Sequence, residues 1–455
     1  MFRHWKILLL MLAITLVPMT VLGQDQPVTL RVVGFVVPPE EIGTPLDQAY
    51  QDFLATFQEN NPNVTVEALE TPPEFDTQLL TDLAAGTAPD VWQQDGSTLA
   101  RLIDTGNVLD MRQCLDVVPE LSLDRFYPSV LNIHMPEGED GPIYGLPNDF
   151  TPMVIYYNPL SFENAGVEVP TPDWTWEDFL DISQRLTLDA EGRNATDPDF
   201  DPENIVQYGY RHRHYVFEWI YWVWQNGGDV IAPDGSTVDG YLNSPETIEA
   251  ITFLRDLVLE HHVSPEPVSL EQMTQQAGFL PVFLEGDVAM FPRGHWELVG
   301  LRNQSNYEPE RVAVISNPSN VEEATVIYES GWIINNAVAE DPAKLEAACR
   351  LVEAATDMDY QLTKGISGVA IPANQAAAEQ IAEETEFPEL EQAFLEAVAA
   401  GRPPYGARFA IWPIVEQRLD LMMENILAGG DIQEEVDLAV EEINRELERA
   451  GQSGS

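Results

Sequence analysis

Basic residues are scarce in this sequence. The 455 residues include 22 Lys and Arg against 76 Asp and Glu, a formal net charge of -54. A surface that negative repels a phosphate backbone, which excludes a nucleic-acid partner. It also disfavours anionic lipid headgroups and phosphorylated ligands unless basic groups are focused in one cleft. The plain reading is a solvated acidic surface suited to saline or low-pH surroundings, and a specific cationic partner is the lesser one. Cysteine is nearly absent, with only Cys114 and Cys349. The histidine pairs His212/His214 and His261/His262 lack the companion Cys or His residues of a structural zinc site, so neither a metal nor a cofactor is expected. There is no Gly-x-Ser-x-Gly elbow, no His-Glu-x-x-His and no internal repeat, so nothing announces a catalytic centre. Beyond residue 22 no apolar run is long enough to span a bilayer. The stretch from Val216 to Trp224 is aromatic but short and carries Glu218.

What is present begins at the N-terminus. Arg3, His4 and Lys6 precede an apolar run from Ile7 to Leu22, and small Val21 and Gly23 stand before Gln24. This is the pattern of a secretory leader cut before Gln24, with a retained membrane anchor as the second reading. Gln24 occupies the place where a lipoprotein would carry Cys, so no lipid is expected there. Export would permit Cys114 and Cys349 to pair. Cys349, however, lies on the apolar stripe Leu345, Ala348, Cys349, Val352, where a buried free thiol would sit. The free thiol is the favoured reading and the disulfide stays open.

Hydrophobic residues make up 44% of the chain and aromatics 9%, enough for substantial cores. Strand and helix patterns alternate. Val28 to Val37 is β-branched; Leu46, Ala49, Tyr50, Phe53, Leu54 and Phe57 recur at helical spacing; Val64 to Ala68 alternates; Phe75 to Leu83 is helical and closed by Gly86; a third strand starts at Pro89. The order predicts a parallel α/β lobe. A second α/β block follows Tyr144. Strands are expected at Met153–Tyr157, Val288–Phe291 and Thr325–Ile334. Helices are expected at Thr175–Leu186, Ser244–Leu259, Pro342–Thr356 and Asp431–Leu447. The polar segment 189–204 reads as a surface loop.

A series of phrases, in order, resembles the maltose-binding-like extracellular solute-binding proteins of ABC importers. They are FQENNPNVTV at 57–66, LAAGTAPDV at 83–91, IYGLP at 143–147, YYNP at 156–159 and Ala165-Gly166 with Pro170. TWEDF at 175–179, FLEGDVAM at 283–290, GHW at 294–296 and a last helix with Glu442-Ile443-Asn444 and Leu447 follow. The resemblance covers nearly the whole chain after the leader; the departure is Gln24, where many relatives carry a lipid-anchoring Cys. It implies an α/β, two-lobed periplasmic-binding-protein-like fold with three hinge crossings, near Asp149–Thr151, Ser316–Val326 and Ser367–Asn374. The lobes are expected at 24–149 with 327–369, and at 150–326 with 370–455. The implied function is capture of a sugar or oligosaccharide in the inter-lobe cleft for import, by an exported monomer that works with ABC permease subunits and is not an enzyme. The same fold holding a polyamine, peptide or glycerol phosphate is the alternative, and an exported glycoside hydrolase is the remoter one.

A sugar ring has an apolar CH face and a rim of hydroxyls, so its site needs aromatic platforms edged by carboxylates, amides or guanidinium groups. Trp296 and Trp412 match family stacking positions, and Trp332 closes a strand near the second crossing; lobe-core packing is the rival account of each. Gln94 and Asp95 follow the third strand at the end where α/β sheets gather ligands. Asp149 and Phe150 stand at the first crossing. Arg293 sits beside Trp296, with an ion pair as its alternative role. From the aromatic helix, Phe217 and Glu218 are chosen, most of their neighbours being core.

Overall fold

β-Branched runs open the fold. The computed structural model describes residues 27–453 except 369, so the leader and its cleavage point before Gln24 lie outside the described residues. Strands β1 (Val28–Val33), β2 (Val64–Leu69) and β3 (Val91–Asp95) are parallel, with β1 in the middle. Strands β4 (Leu146–Pro152) and β5 (Val154–Tyr157) follow with only Met153 between them. A small antiparallel pair, β6 (Leu188–Asp189) and β7 (Ile205–Gln207), brackets the polar segment, which folds around the carboxylate of Asp189. Strands β8 (Met290–Arg293) and β9 (Ala313–Ile315) flank β5 in a three-stranded antiparallel sheet. Strand β10 (Thr325–Ile334) then returns to the first sheet, joined by β11 (Ile371–Pro372) and β12 (Gly401–Arg402).

The first sheet runs β11-β4-β10-β3-β1-β2, with β12 beside β10. It is therefore mixed rather than parallel throughout: β10 lies antiparallel to both β3 and β4. The chain passes from the first sheet to the second at β4 to β5 and returns at β9 to β10; after β11 it runs through helices before adding β12 to the first sheet. That is the topology of a two-lobed α/β protein. Helix ends obey local chemistry. Thr175 and Asp178 close a capping box on helix Trp176–Leu186, and Ser244 with Pro245 starts helix Pro245–Leu259. Gly86 ends helix Phe75–Ala85 at φ 71, a left-handed turn that costs glycine nothing.

The register of β4 against β10 shifts between Ser330 and Gly331, leaving Asn148 as an extra residue. Such a bulge re-aims the side chains beside it. Asn148 accepts from Trp332 Nε1 at 3.1 Å and donates to Ser330 Oγ at 3.1 Å and to Asp149 Oδ2 at 2.9 Å. The bulge is thus held on both strands, and it turns Asp149 and Ser330 toward the space between the sheets.

The favoured free-thiol reading of Cys349 is corrected. Cys349 is buried on its apolar stripe as the pattern indicates, but Cys114 is buried in the same cluster and the two are joined in a disulfide. Helix Pro342–Ala355 brings their Cα atoms to 5.2 Å across 235 residues of sequence, within the usual range for a bridge.

Candidate ligand-binding cleft

Between the two sheets lies a cavity of about 470 Å³. One wall is the end of the first sheet: Asp95 at the end of β3 with Ser97 just beyond it, Asp149 to Thr151 in β4, and Tyr328 to Ser330 in β10. The opposite wall comes from helix Val216–Gln225, the turn after β8, the short turn Tyr405–Ala407 and helix Trp412–Leu427, which bring Phe217, Trp224, Trp296, Tyr405, Trp412 and Glu416.

Trp296 is the most accessible of these rings, 37% exposed, and meets Tyr328 edge to face at 6.2 Å. Its six-membered ring lies so close over Gly294 that a Cβ there would come within 2.2 Å of it, which explains glycine in the Gly294-His295-Trp296 turn. Trp412 is only 4% exposed and packs on Tyr405 at 4.6 Å. Tyr405 is in turn fixed by Trp224 Nε1, which donates to its hydroxyl at 2.8 Å, and by Asp229, which accepts from that hydroxyl. Phe217 lies edge-on to Tyr328 at 6.4 Å, and the Arg293 guanidinium stands 5.4 Å from its ring centre. Phe150 lines the cavity while buried against Tyr127.

Four carboxylates border the same space, and among the described residues no Lys or Arg does. Asp149 is satisfied: it accepts from Ser330, Asn148 and Lys364. Glu329 is fully buried and bonded through one oxygen to His134 Nε2 at 3.1 Å. Burial pushes its carboxyl above the ordinary range, against the opposing pull of His134. Asp95 opens to the cleft, yet protein surrounds it closely enough that loss of solvent raises its carboxyl despite hydrogen bonds from Ser97; Asp76 and Asp149 add to the rise. Glu416 is raised to about 7, chiefly by burial and then by Asp420 and Asp95.

Of the ten residues chosen from the sequence, six border the cavity together: Asp95, Asp149, Phe150, Phe217, Trp296 and Trp412. The other four stand behind its walls. Gln94 points to the opposite face of β3 from Asp95, where it donates to Asp76 and Thr98. Trp332 is buried in the first-lobe core, stacked on Phe35 at 4.7 Å. Glu218 is buried among Arg211, Arg213 and Arg293. Burial alone would raise its carboxyl, but the three guanidinium groups outweigh that and hold it at about 2. Arg293 is spent on Glu218 and Glu297, at 2.6 and 2.7 Å. Sequence reasoning missed Tyr328, Tyr405, Trp224 and Glu416. Glu416 carried a usable signal, since it lies one helical turn after Trp412 and so shares its face.

His212 is buried, with Nε2 at 3.2 Å from the Leu254 carbonyl, and among the described residues no group of His, Cys, Asp and Glu is placed to hold a metal. Also among the described residues, no helix is long and apolar enough to cross a membrane.

The fold recurs in known structures. An ABC substrate-binding protein of Listeria monocytogenes in complex with cycloalternan aligns with TM-score 0.73 and 22% identity, over 93% of this chain and 99% of that one. The sugar-binding protein MalE of Xanthomonas citri aligns with TM-score 0.74 and 16% identity, over 93% and 98%. In sequence, 220 residues are 24% identical to the arabinooligosaccharide-binding protein of Halalkalibacterium halodurans, covering 47% of this chain and 44% of that protein. The chain spans about half the length of the curated relatives it matches. The pattern that defines bacterial extracellular solute-binding proteins matches residues 52–392, and the chain belongs to that family.

Proposed function

We propose that the protein captures a sugar or oligosaccharide in the cleft and presents it to the membrane subunits of an ABC importer. The observation that carries this is the facing of accessible Trp296, with Phe217 and Trp412 beside it, by carboxylates across a cavity of about 470 Å³. The aromatic side suits the CH faces of a pyranose, and the acidic side suits its hydroxyls. The cycloalternan bound to the Listeria monocytogenes protein and the arabinooligosaccharides named for the Halalkalibacterium halodurans protein support the same ligand class. Asp95, Asp149, Phe150, Phe217, Trp296 and Trp412 touch the ligand in this reading. Gln94, Trp332, Glu218 and Arg293 hold the walls from behind.

The lobes comprise 24–149 with 327–369, and 150–326 with 370–455, and the protein acts as an exported monomer. Its leader is cut before Gln24 and leaves no lipid. In this reading the protein binds without turnover, as expected of an extracellular solute-binding protein. A thermal-shift screen over mono- and oligosaccharides tests the reading. A ligand that binds only the folded state raises the melting temperature by mass action. A true ligand shifts the melt and yields no new reducing ends on incubation. A flat response to every carbohydrate, or release of reducing ends, overturns it.

A further inference from the structure

We infer that the cleft selects a ligand carrying a protonated amine, an amino sugar rather than a neutral one, held between Asp95 of one lobe and Glu416 of the other. The inference rests on the sugar-capture reading and deepens it. Its ground is the charge that remains after every contact in the cleft is accounted for. Asp149 is neutralised by Lys364, and Arg293, the cation next to Trp296, is consumed by Glu218 and Glu297. Among the described residues the Asp95 carboxylate has Ser97 as its one hydrogen-bond partner. Glu416 makes no hydrogen bond and no ion pair among the described residues, and the groups around it are the acids Asp95 and Asp420 and the phenol of Tyr328. His214 stands near enough to Asp420 to act on its charge. At the floor, Glu329 is fully buried, and its Oε1 has no partner among the described residues.

A sugar hydroxyl can donate to a carboxylate, but it brings no charge. Closing the lobes over a neutral ligand would strip water from Asp95 and Glu416, which would then either face each other as like charges or take up a proton, with no counter-charge supplied to either. An ammonium group offsets both, as a charge-assisted donor to the carboxylates and as a cation over the faces of Trp296 or Phe217. Desolvation strengthens each of these contacts. The raised carboxyls of Glu416 and Asp95 agree with a site whose anions await a positive partner.

Matched pairs of probes decide the matter: glucosamine against glucose, and the fully deacetylated glucosamine trimer against cellotriose, titrated by calorimetry at neutral pH, with spermidine as a cation without a sugar ring. The aminated member of a pair is expected to bind about tenfold tighter or more. Glu416→Gln, and independently Asp95→Asn, should bring that ratio toward unity, whatever happens to the absolute affinities. Thermal melts of both variants confirm that the scaffold is intact. Equal affinities within both pairs overturn the amine preference and leave the sugar reading standing. Binding of spermidine with silence toward all four sugars overturns the sugar reading and the amino-sugar assignment with it.

Discussion

Trp296 and Trp412 sit on one wall of the cleft, but burial separates what each can be asked to do. Trp296 is 37% exposed, so truncation removes a platform and leaves no cavity in a core. Trp296→Ala is expected to weaken ligand binding by about 1–3 kcal/mol, roughly 5- to 150-fold, with little loss of stability. Trp412 is 4% exposed and packed on Tyr405. Trp412→Ala is expected to cost about 3–5 kcal/mol of stability, in addition to its effect on binding. Calorimetry paired with denaturant melts on both variants checks the contrast. If Trp296→Ala unfolds as readily as Trp412→Ala while its folded fraction binds at full affinity, Trp296 is not a platform. Residue-level legibility followed the same division. Trp296 could be found because its turn is a recognisable phrase, and Glu416 could have been found from its one-turn spacing to Trp412. Gln94 and Asp95 could not be told apart, because neighbours on a strand point to opposite faces and only the sheet decides which face meets the cleft. For Trp332 the sequence leaves a cleft platform and a core ring equally open, and the interior position of β10, with the ring stacked on Phe35, decides for the core.

Elements were legible where the signal is local. The capping residues Thr175 and Ser244, the stop at Gly86 and the β-branched run Thr325–Ile334 are written into a few consecutive residues. Pairing between distant elements is not, and two consequences follow here. The insertion of β10 between β3 and β4 makes the first sheet mixed, which no hydrophobic period discloses. The approach of helix Arg112–Val117 to helix Pro342–Ala355 brings Cys114 to Cys349 across 235 residues. A bridge closing so long a loop constrains the unfolded chain strongly; typical native disulfides contribute about 2–4 kcal/mol. Double replacement Cys114→Ala with Cys349→Ala is therefore expected to lower stability by about that amount, while ligand affinity holds, since the bridge lies in the first-lobe core and away from the cleft. Denaturant melts of the variant, compared with the oxidised protein, measure it. An unchanged midpoint would show that the two thiols are not joined in solution.

At the scale of the whole molecule, the passages of chain between the sheets, β4 to β5 and β9 to β10, set what can move. Each passage is short, and each is anchored in the first sheet, where β4 and β10 pair with each other. Rotation about a few backbone bonds at the ends of these strands would swing one lobe against the other without breaking either core. The carboxylates give that motion a preference. Asp95 and Glu416 belong to opposite walls, and their mutual repulsion opposes closure until a ligand comes between them. A ligand can shift an open–closed equilibrium only by its differential affinity for the two states. A ligand that touches both walls has that differential, whereas one resting on Trp296 alone does not. Addition of a ligand that spans the cleft should accordingly reduce the radius of gyration in small-angle scattering, toward the roughly 22 Å expected of a compact chain of this length. In Glu416→Gln, which lacks the repulsion, the unliganded form should already be more compact than the wild type. A radius unchanged at saturation, in a protein shown by calorimetry to be fully occupied, would mean that binding and closure are uncoupled and that the cleft is rigid.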